Sequence, residues 1–218
     1  MRSQRSYPNE SLIQFLASRY FDRSIAERKT IRVLEVGCGS GANIWMIAKE
    51  GFDAYGIDSS QEGIALAQTH LNGKWGVLAT LQVGLFTKLP YTNAYFDAVV
   101  DVVSLQHLSL ADSSIALAEI IRVLKPNGTF FSFRLSDASV MYQSSGGRWI
   151  DTVTVDNIVN PSMPLSNNGP TSFWSPGLTR QIYQEIGFDL PSVERYGRTY
   201  EDGTKYVEYL TIIAAKPS

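Results

Sequence analysis

Val33-Leu34-Glu35-Val36-Gly37-Cys38-Gly39-Ser40-Gly41, with Asp58 closing the later run Ala54-Tyr55-Gly56-Ile57-Asp58, decides the fold class of this chain. A short apolar run bounded by glycines reads as a buried strand, because a strand covered on both faces needs no polar alternation. Glycine supplies the left-handed backbone that a tight strand-to-helix turn demands. The second apolar run then reads as a neighbouring parallel strand, and an acid stands at its end. Strand, turn, helix, strand is the βαβ unit of a parallel sheet.

Outward from that unit, β-rich runs continue to alternate with helical periodicity. Asn9 can cap a first helix running to about Asp22, with Leu12, Ile13, Phe15, Leu16 and Tyr20 near helical spacing. Strands are expected over 31–36, 53–57, 77–83, 96–103 and 129–134, and helices over 42–50, 60–71 and 112–124. Gly51 terminates the second helix, and Lys125-Pro126-Asn127-Gly128 stops the fourth, where proline cannot continue the ladder. From 137 to 175 the pattern dissolves into Ser, Gly, Asn and Pro with scattered aromatics, a stretch too long to be an idle loop. A last helix over 176–186, ended by Gly187, and two closing strands over 193–200 and 205–215 complete the chain. The expected organisation is one domain over 1–218, with an N-terminal helix and flap over 1–30 and a substrate-covering insertion over 137–175.

Composition narrows the partners. The 218 residues are 44% hydrophobic and 18% charged, enough for a full core. Net charge is -2 without a long basic run, so no electrostatic footprint exists for nucleic acid or an anionic membrane surface, and a small-molecule substrate is expected. The single cysteine, Cys38, excludes an internal disulfide. The start lacks an apolar signal core and no apolar run approaches a membrane span, so a cytoplasmic protein is expected. No metal-ligand cluster is evident, and nothing in the pattern speaks to oligomeric state.

The glycine turn admits three readings. Gly37-x-Gly39-x-x-Ala42 satisfies the dinucleotide fingerprint, and Asp58 sits where that fold places its ribose acid. Alternatively, the glycines only make the turn. Glu35 favours a third reading, because a carboxylate two residues before the turn repels a pyrophosphate at the helix N-terminus yet accepts from an ammonium group. Asp58 argues for adenosine under either ligand reading. Cys38 has no His or second thiol near it in sequence and reads as a small wall residue.

The run 33–41 resembles motif I of the class I S-adenosylmethionine-dependent methyltransferases. Leu89-Pro90-Tyr91 with Tyr95-Phe96-Asp97-Ala98-Val99-Val100 is similar to their approach to strand four, and Arg122-Val123-Leu124-Lys125-Pro126-Asn127-Gly128-Thr129 to their turn into strand five. The resemblance implies an α/β fold: a Rossmann-like seven-stranded sheet in the order 3-2-1-4-5-7-6, strand seven antiparallel, with helices on both faces. It implies S-adenosylmethionine as cofactor, lying across the carboxyl ends of strands one, two and four. Carried over by position, Gly37, Gly39 and Gly41 let the backbone approach the methionine and ribose portions, Asp58 holds the ribose, and Ser59 flanks the adenine; Glu35, Cys38, Leu85 and Phe86 are expected among the cofactor residues with them. Asp101 is expected among the cofactor residues. The family commonly shows Gly-Asp after strand three, whereas here Gly84 precedes Leu85, so adenine loses one acceptor.

A sulfonium already activates its methyl group, so the expected chemistry is in-line displacement with water excluded. His107, just beyond strand four, is the candidate general base for an acceptor that must lose a proton. His70 reads as a solvated or capping residue at a helix end. Tyr7 in an N-terminal flap and Arg148, Trp149, Phe173 and Trp174 in the insertion are the candidate substrate residues. Aromatic rings among amides suit a polar ring-shaped acceptor such as a sugar, or a secondary metabolite, as well as they suit a plain lid. Three rivals belong to other classes: a nicotinamide oxidoreductase, a nucleic-acid methyltransferase, and a non-catalytic S-adenosylmethionine- or nucleotide-binding scaffold. The first lacks a second mononucleotide half. The second lacks a basic face and an Asn-Pro-Pro-aromatic motif, since Asn160-Pro161-Ser162-Met163 does not match. The third rests on Leu85.

Overall fold

The computed structural model describes residues 6–218. In chain order the elements are α1 (Glu10–Tyr20), α2 (Ile25–Arg28), β1 (Arg32–Val36), α3 (Ile44–Lys49), β2 (Asp53–Asp58), α4 (Gln61–Thr69), β3 (Thr80–Val83), β4 (Phe96–Val102), α5 (Leu110–Val123), β5 (Leu124–Leu135), α6 (Val140–Ser144), β6 (Thr154–Val155), β7 (Thr171–Ser172), α7 (Pro176–Ile186), β8 (Ser192–Tyr200) and β9 (Lys205–Ala215). Seven strands form one sheet in the order β3-β2-β1-β4-β5-β9-β8. β1 to β5 run parallel, and β9 is antiparallel to both β5 and β8. This is the expected order and the expected single reversal.

Each face of the sheet carries its own core. On one face Leu34, Val36, Val99 and Phe130 pack with Leu117 and Ile120 of α5 and Tyr183 of α7. On the other, Val33, Val100 and Phe131 meet Leu12, Phe15 and Leu16 of α1 and Ile44 and Ile47 of α3. Alternate residues of one strand thus feed opposite cores, as the period of two requires. The Asn9 side chain caps α1 by accepting from Leu12 N at 3.1 Å. Ser175, Pro176 and Gly187 delimit α7 where expected, with Gly187 at φ 106°.

Several boundaries differ from the sequence reading. The helix expected over 60–71 is α-helical only over Gln61–Thr69 and continues as a π turn, His70–Trp75, which Gly76 ends at φ 62°. α5 starts at Leu110 because Ser109, not Asp112, is its cap, its hydroxyl accepting from Asp112 N at 3.1 Å. The stretch over 137–175 is ordered rather than structureless: it holds α6 and the β6–β7 pair, and Met141, Val155, Ile158 and Phe173 close a third core with Leu135 and Val207. Among the described residues no helix is long and apolar enough to cross a membrane.

Candidate active site

The turn after β1 is bolted to its neighbours by backbone geometry. Gly37 adopts φ 74°, its N–H donates to Ile57 O at 2.7 Å, and its carbonyl accepts from Ser104 Oγ at 3.0 Å. A Cβ there would lie 2.0 Å from Ser104 Oγ, so no other residue fits. Gly39, at φ 49°, donates to Asp58 Oδ2 at 2.9 Å, and a Cβ on it would point into open space. Asp58 Oδ1 accepts from Ser60 N, the start of the turn into α4. The result is a cavity of about 210 Å³ at the carboxyl ends of β1 and β4, lined by Glu35, Gly37, Cys38, Gly39, Asn43 and the 102–104 segment among others.

Glu35 is the unusual wall. It is 2% exposed, its Oε1 accepts from Asn43 Nδ2 at 2.6 Å, and its Oε2 is buried without a hydrogen-bond partner. Burial pushes its pKa up to about 8, and the nearby Asp101 and Asp58 carboxylates add to the shift. A buried carboxylate oxygen with nothing to accept is costly unless a donor fills the space beside it. The chemistry required is a compact cation with N–H groups, which an α-ammonium group supplies and a pyrophosphate does not. Asn43 holds the acid in place from α3, and its Oδ1 accepts from Asn9 N at 2.9 Å, which ties the start of α1 to the same cavity. Sequence reasoning passed over Asn43. Its only signal was an amide at a helix N-cap, and that side chain caps nothing.

The other expected cofactor residues divide. Cys38 lines the cavity as a buried thiol whose pKa burial pushes far up, a wall and not a nucleophile. Gly41 faces away, packed on Ala67. Phe86 approaches the glycine turn, its ring edge 3.3 Å from where a Gly37 Cβ would stand, whereas Leu85 is largely exposed and Ser59 is exposed. Asp101, expected at the cofactor, is instead a scaffold acid. It is fully buried, Oδ1 accepts from Ser104 N and Leu105 N, and Oδ2 accepts from Ser132 Oγ at 2.7 Å. It shapes the loop whose Ser104 covers Gly37. His70 is the C-cap of α4, as expected, and its half-buried ring also reaches the glycine turn: Nδ1 donates to Ser40 O at 3.2 Å, because a carbonyl can only accept.

His107 ends a short 3-10 turn, Leu105–His107, and its Nδ1 donates to Pro170 O at 2.8 Å. That bond leaves Nε2 as the free nitrogen of the neutral ring. The candidate substrate residues do not gather. Phe173 and Trp174 are fully buried, Phe173 in the third core and Trp174 under the Arg134 guanidinium, 3.7 Å from the ring centroid. They were misread because a β5 residue and the β6–β7 pair, invisible to local composition, draw them inward. Arg148 is exposed and pairs with Asp156 at 3.3 Å, and Trp149 meets Tyr142 edge-on at 5.1 Å. Tyr7 lies well exposed on a separate cleft beside α1. Among the described residues no group of acids, histidines or cysteines could hold a metal.

Comparison with known proteins agrees with the fold. A methyltransferase domain family model matches residues 34–132. The chain is 27% identical over 174 residues to a ubiquinone biosynthesis O-methyltransferase of Methylococcus capsulatus, covering 80% of this chain and 68% of that protein. It is 34% identical over 185 residues to an uncharacterized protein of Haemophilus influenzae, covering 79% and 67%. A SAM-dependent methyltransferase structure from Methanosarcina mazei superposes with a TM-score of 0.69 at 23% identity, over 85% of this chain and 92% of that one. The chain belongs to the class I S-adenosylmethionine-dependent methyltransferases. It is a methyltransferase, and its cofactor is S-adenosylmethionine.

Proposed function

We propose that the chain methylates a hydroxyl of a small-molecule acceptor, with the cofactor seated in the cavity between β1 and β4. The single observation that carries this placement is the buried, partnerless Oε2 of Glu35 on the cavity wall. In this reading Glu35 accepts from the α-ammonium group and Asn43 orients it. Gly37 and Gly39 let the backbone approach, and Asp58 offers the ribose hydroxyls the lone pairs that Gly39 N and Ser60 N leave unused. Phe86 supplies an apolar edge toward adenine.

When bound, S-adenosylmethionine would supply a methyl carbon on a sulfonium, already activated for in-line displacement by an acceptor oxygen with the thioether as leaving group. In this reading His107, its ring held through Nδ1 by Pro170 O, takes the acceptor's proton at Nε2 from a position just outside the residues that line the cofactor cavity. An oxygen acceptor agrees with the O-methyltransferase activity for which the Methylococcus relative is named. Net charge of -2 favours a small molecule over nucleic acid. The sugar version of the acceptor loses its main support, since Phe173 and Trp174 are core residues.

Calorimetric titration with S-adenosylmethionine, S-adenosylhomocysteine and NAD tests the cofactor assignment. The first two should bind and NAD should not; preference for NAD would overturn it. His107→Ala should leave S-adenosylhomocysteine affinity unchanged and slow methyl transfer about a hundredfold. Unchanged transfer would remove His107 from the chemistry.

A further inference from the structure

Beside the cofactor cavity lies a second cleft of about 250 Å³ whose walls the sequence reading did not connect: Tyr7, Phe133, Tyr196, Arg198, Tyr200 and Tyr209, with the start of α1 closing one side. Two bonds join the linings of the two cavities. Asn9 N donates to Asn43 Oδ1 at 2.9 Å, and Val103 N donates to Phe133 O at 2.8 Å. Val103 is held at φ 59°, a conformation that a β-branched side chain resists and that persists only where the surroundings impose it. The partition between the cleft and the cavity is therefore a strained segment directly after β4.

The cleft lies beyond the end of β5. The β5–β9 ladder stops at Leu135↔Tyr209, whereas the β8–β9 hairpin continues through Arg198↔Val207 to Tyr200↔Lys205. Tyr196 stands level with Leu135, the last residue of β5, and the overhang carries Arg198 and Tyr200 on the same face past the carboxyl ends of the parallel strands, the side of an α/β sheet where ligands bind. Phe133 and Tyr209 stack at 4.6 Å and 16°, and Tyr196 meets Phe133 edge-on at 5.8 Å. Tyr196 and Tyr200 nevertheless stay 43% and 38% exposed, so ring surface remains for a guest.

The two arginines of this strand differ in what occupies them. Arg195 is held by Glu208 at 2.6 Å. Arg198 lies over the Tyr200 ring at 4.8 Å and has no carboxylate within ion-pairing distance among the described residues. Glu10, the carboxylate on the opposite lip, accepts from Gln14 Nε2 within α1. A planar guanidinium stacked on a ring and lacking an anion presents its donor fork to one.

We propose that this cleft is the acceptor site and that it takes a flat aromatic molecule bearing an acidic substituent, its ring among Phe133, Tyr196 and Tyr209 and its anion on Arg198. The proposal rests on the cofactor reading above, since the acceptor's hydroxyl must reach the methyl group over the edge that the Asn9–Asn43 and Val103–Phe133 bonds form between the cleft and the cofactor cavity.

The test uses the full chain with S-adenosylhomocysteine present and three probes: fluorescent 6-hydroxy-2-naphthoate, uncharged 2-naphthol, and non-aromatic cyclohexanecarboxylate. Wild-type protein should bind the naphthoate best and the cyclohexane acid least. Arg198→Gln should weaken the naphthoate about tenfold and leave naphthol unchanged. Tyr196→Leu should weaken both aromatic probes about threefold to tenfold. Trp149→Ala, in the insertion, should change nothing. The proposal is overturned if wild type binds neither aromatic probe, if Arg198→Gln binds naphthoate normally, or if Trp149→Ala is the variant that loses it. S-adenosylhomocysteine titrated into each variant verifies folding, and its failure to bind wild type would count against the cofactor reading, with the naphthoate arms still deciding the cleft.

Discussion

Two acids one rung apart in the sheet have opposite fates. Glu35 on β1 pairs with Val100, and Asp101 on β4 pairs with Val36, so the two carboxylates project to opposite faces of the same pair of strands. Both are buried. Asp101 receives three hydrogen bonds from its own loop and from β5. Glu35 receives one strong bond from Asn43 and a weaker pull from the Ile44 N–H, and no donor lies within hydrogen-bond distance of its second oxygen. Burial raises the pKa of both, but only Glu35 stands on a cavity wall. A fully served buried acid is architecture; a half-served one at a cavity is a site awaiting a donor.

The comparison can be broken from either side. Asp101→Ala strips the acceptor from two backbone N–H groups and a buried hydroxyl, and should cost about 3–5 kcal/mol of stability in chemical denaturation. A loss below about 1 kcal/mol would mean that Asp101 is not the keystone of the Ser104 loop. Glu35→Gln should instead fold about as well as wild type at neutral pH, because the amide oxygen keeps the Asn43 bond and, like the protonated acid, carries no charge. It should weaken S-adenosylhomocysteine about 30- to 100-fold, since the neutral group no longer matches an ammonium. A variant that binds normally would strip Glu35 of its role.

The pH dependence sharpens the same contrast. In the folded chain Glu35 sits at about 8 against an ordinary 4.5. Between those values the folded protein holds a proton that the unfolded chain has released. The stability tied to neutral Glu35 is therefore fully present below pH 4.5 and is lost as pH rises through 8. The slope is at most about 1.4 kcal/mol per pH unit, and Glu35→Gln should flatten it. Denaturation curves for both proteins from pH 5 to about 9 measure the difference. At the small end, Arg148→Ala removes an exposed pair with Asp156 and should shift stability by less than about 0.5 kcal/mol, with cofactor affinity unchanged.

What the sequence made legible follows the same division between local and distant causes. The glycine turn, the β1 and β2 runs and α7 are written locally: positive-φ glycines, continuous apolar strands, and a Ser175-Pro176 start with a Gly187 stop. Strand order came through resemblance, which supplied what periodicity does not. The substrate wall was misread because its residues are assigned by long-range partners. Trp174 is buried by Arg134 of β5, and Phe173 by Leu135 and Val207. Conversely, Tyr196, Arg198 and Tyr200 look like ordinary edge-strand residues until the hairpin is seen to overrun β5. Glu35 was legible as an acid before the turn; Asn43, which orients it, was not, because its two partners lie eight and 34 residues away.

The most direct test of the account is the proton released when the cofactor product binds. Calorimetric titration of S-adenosylhomocysteine at pH 7, in phosphate and in Tris, separates the binding enthalpy from the buffer's ionisation enthalpy. An acid poised at about 8 is mostly protonated at that pH and must ionise to pair with an ammonium, so wild-type protein should release about one proton and Glu35→Gln about none. Binding with no proton released, or a release that persists in Glu35→Gln, would contradict the claim that this carboxylate receives the cofactor's cation.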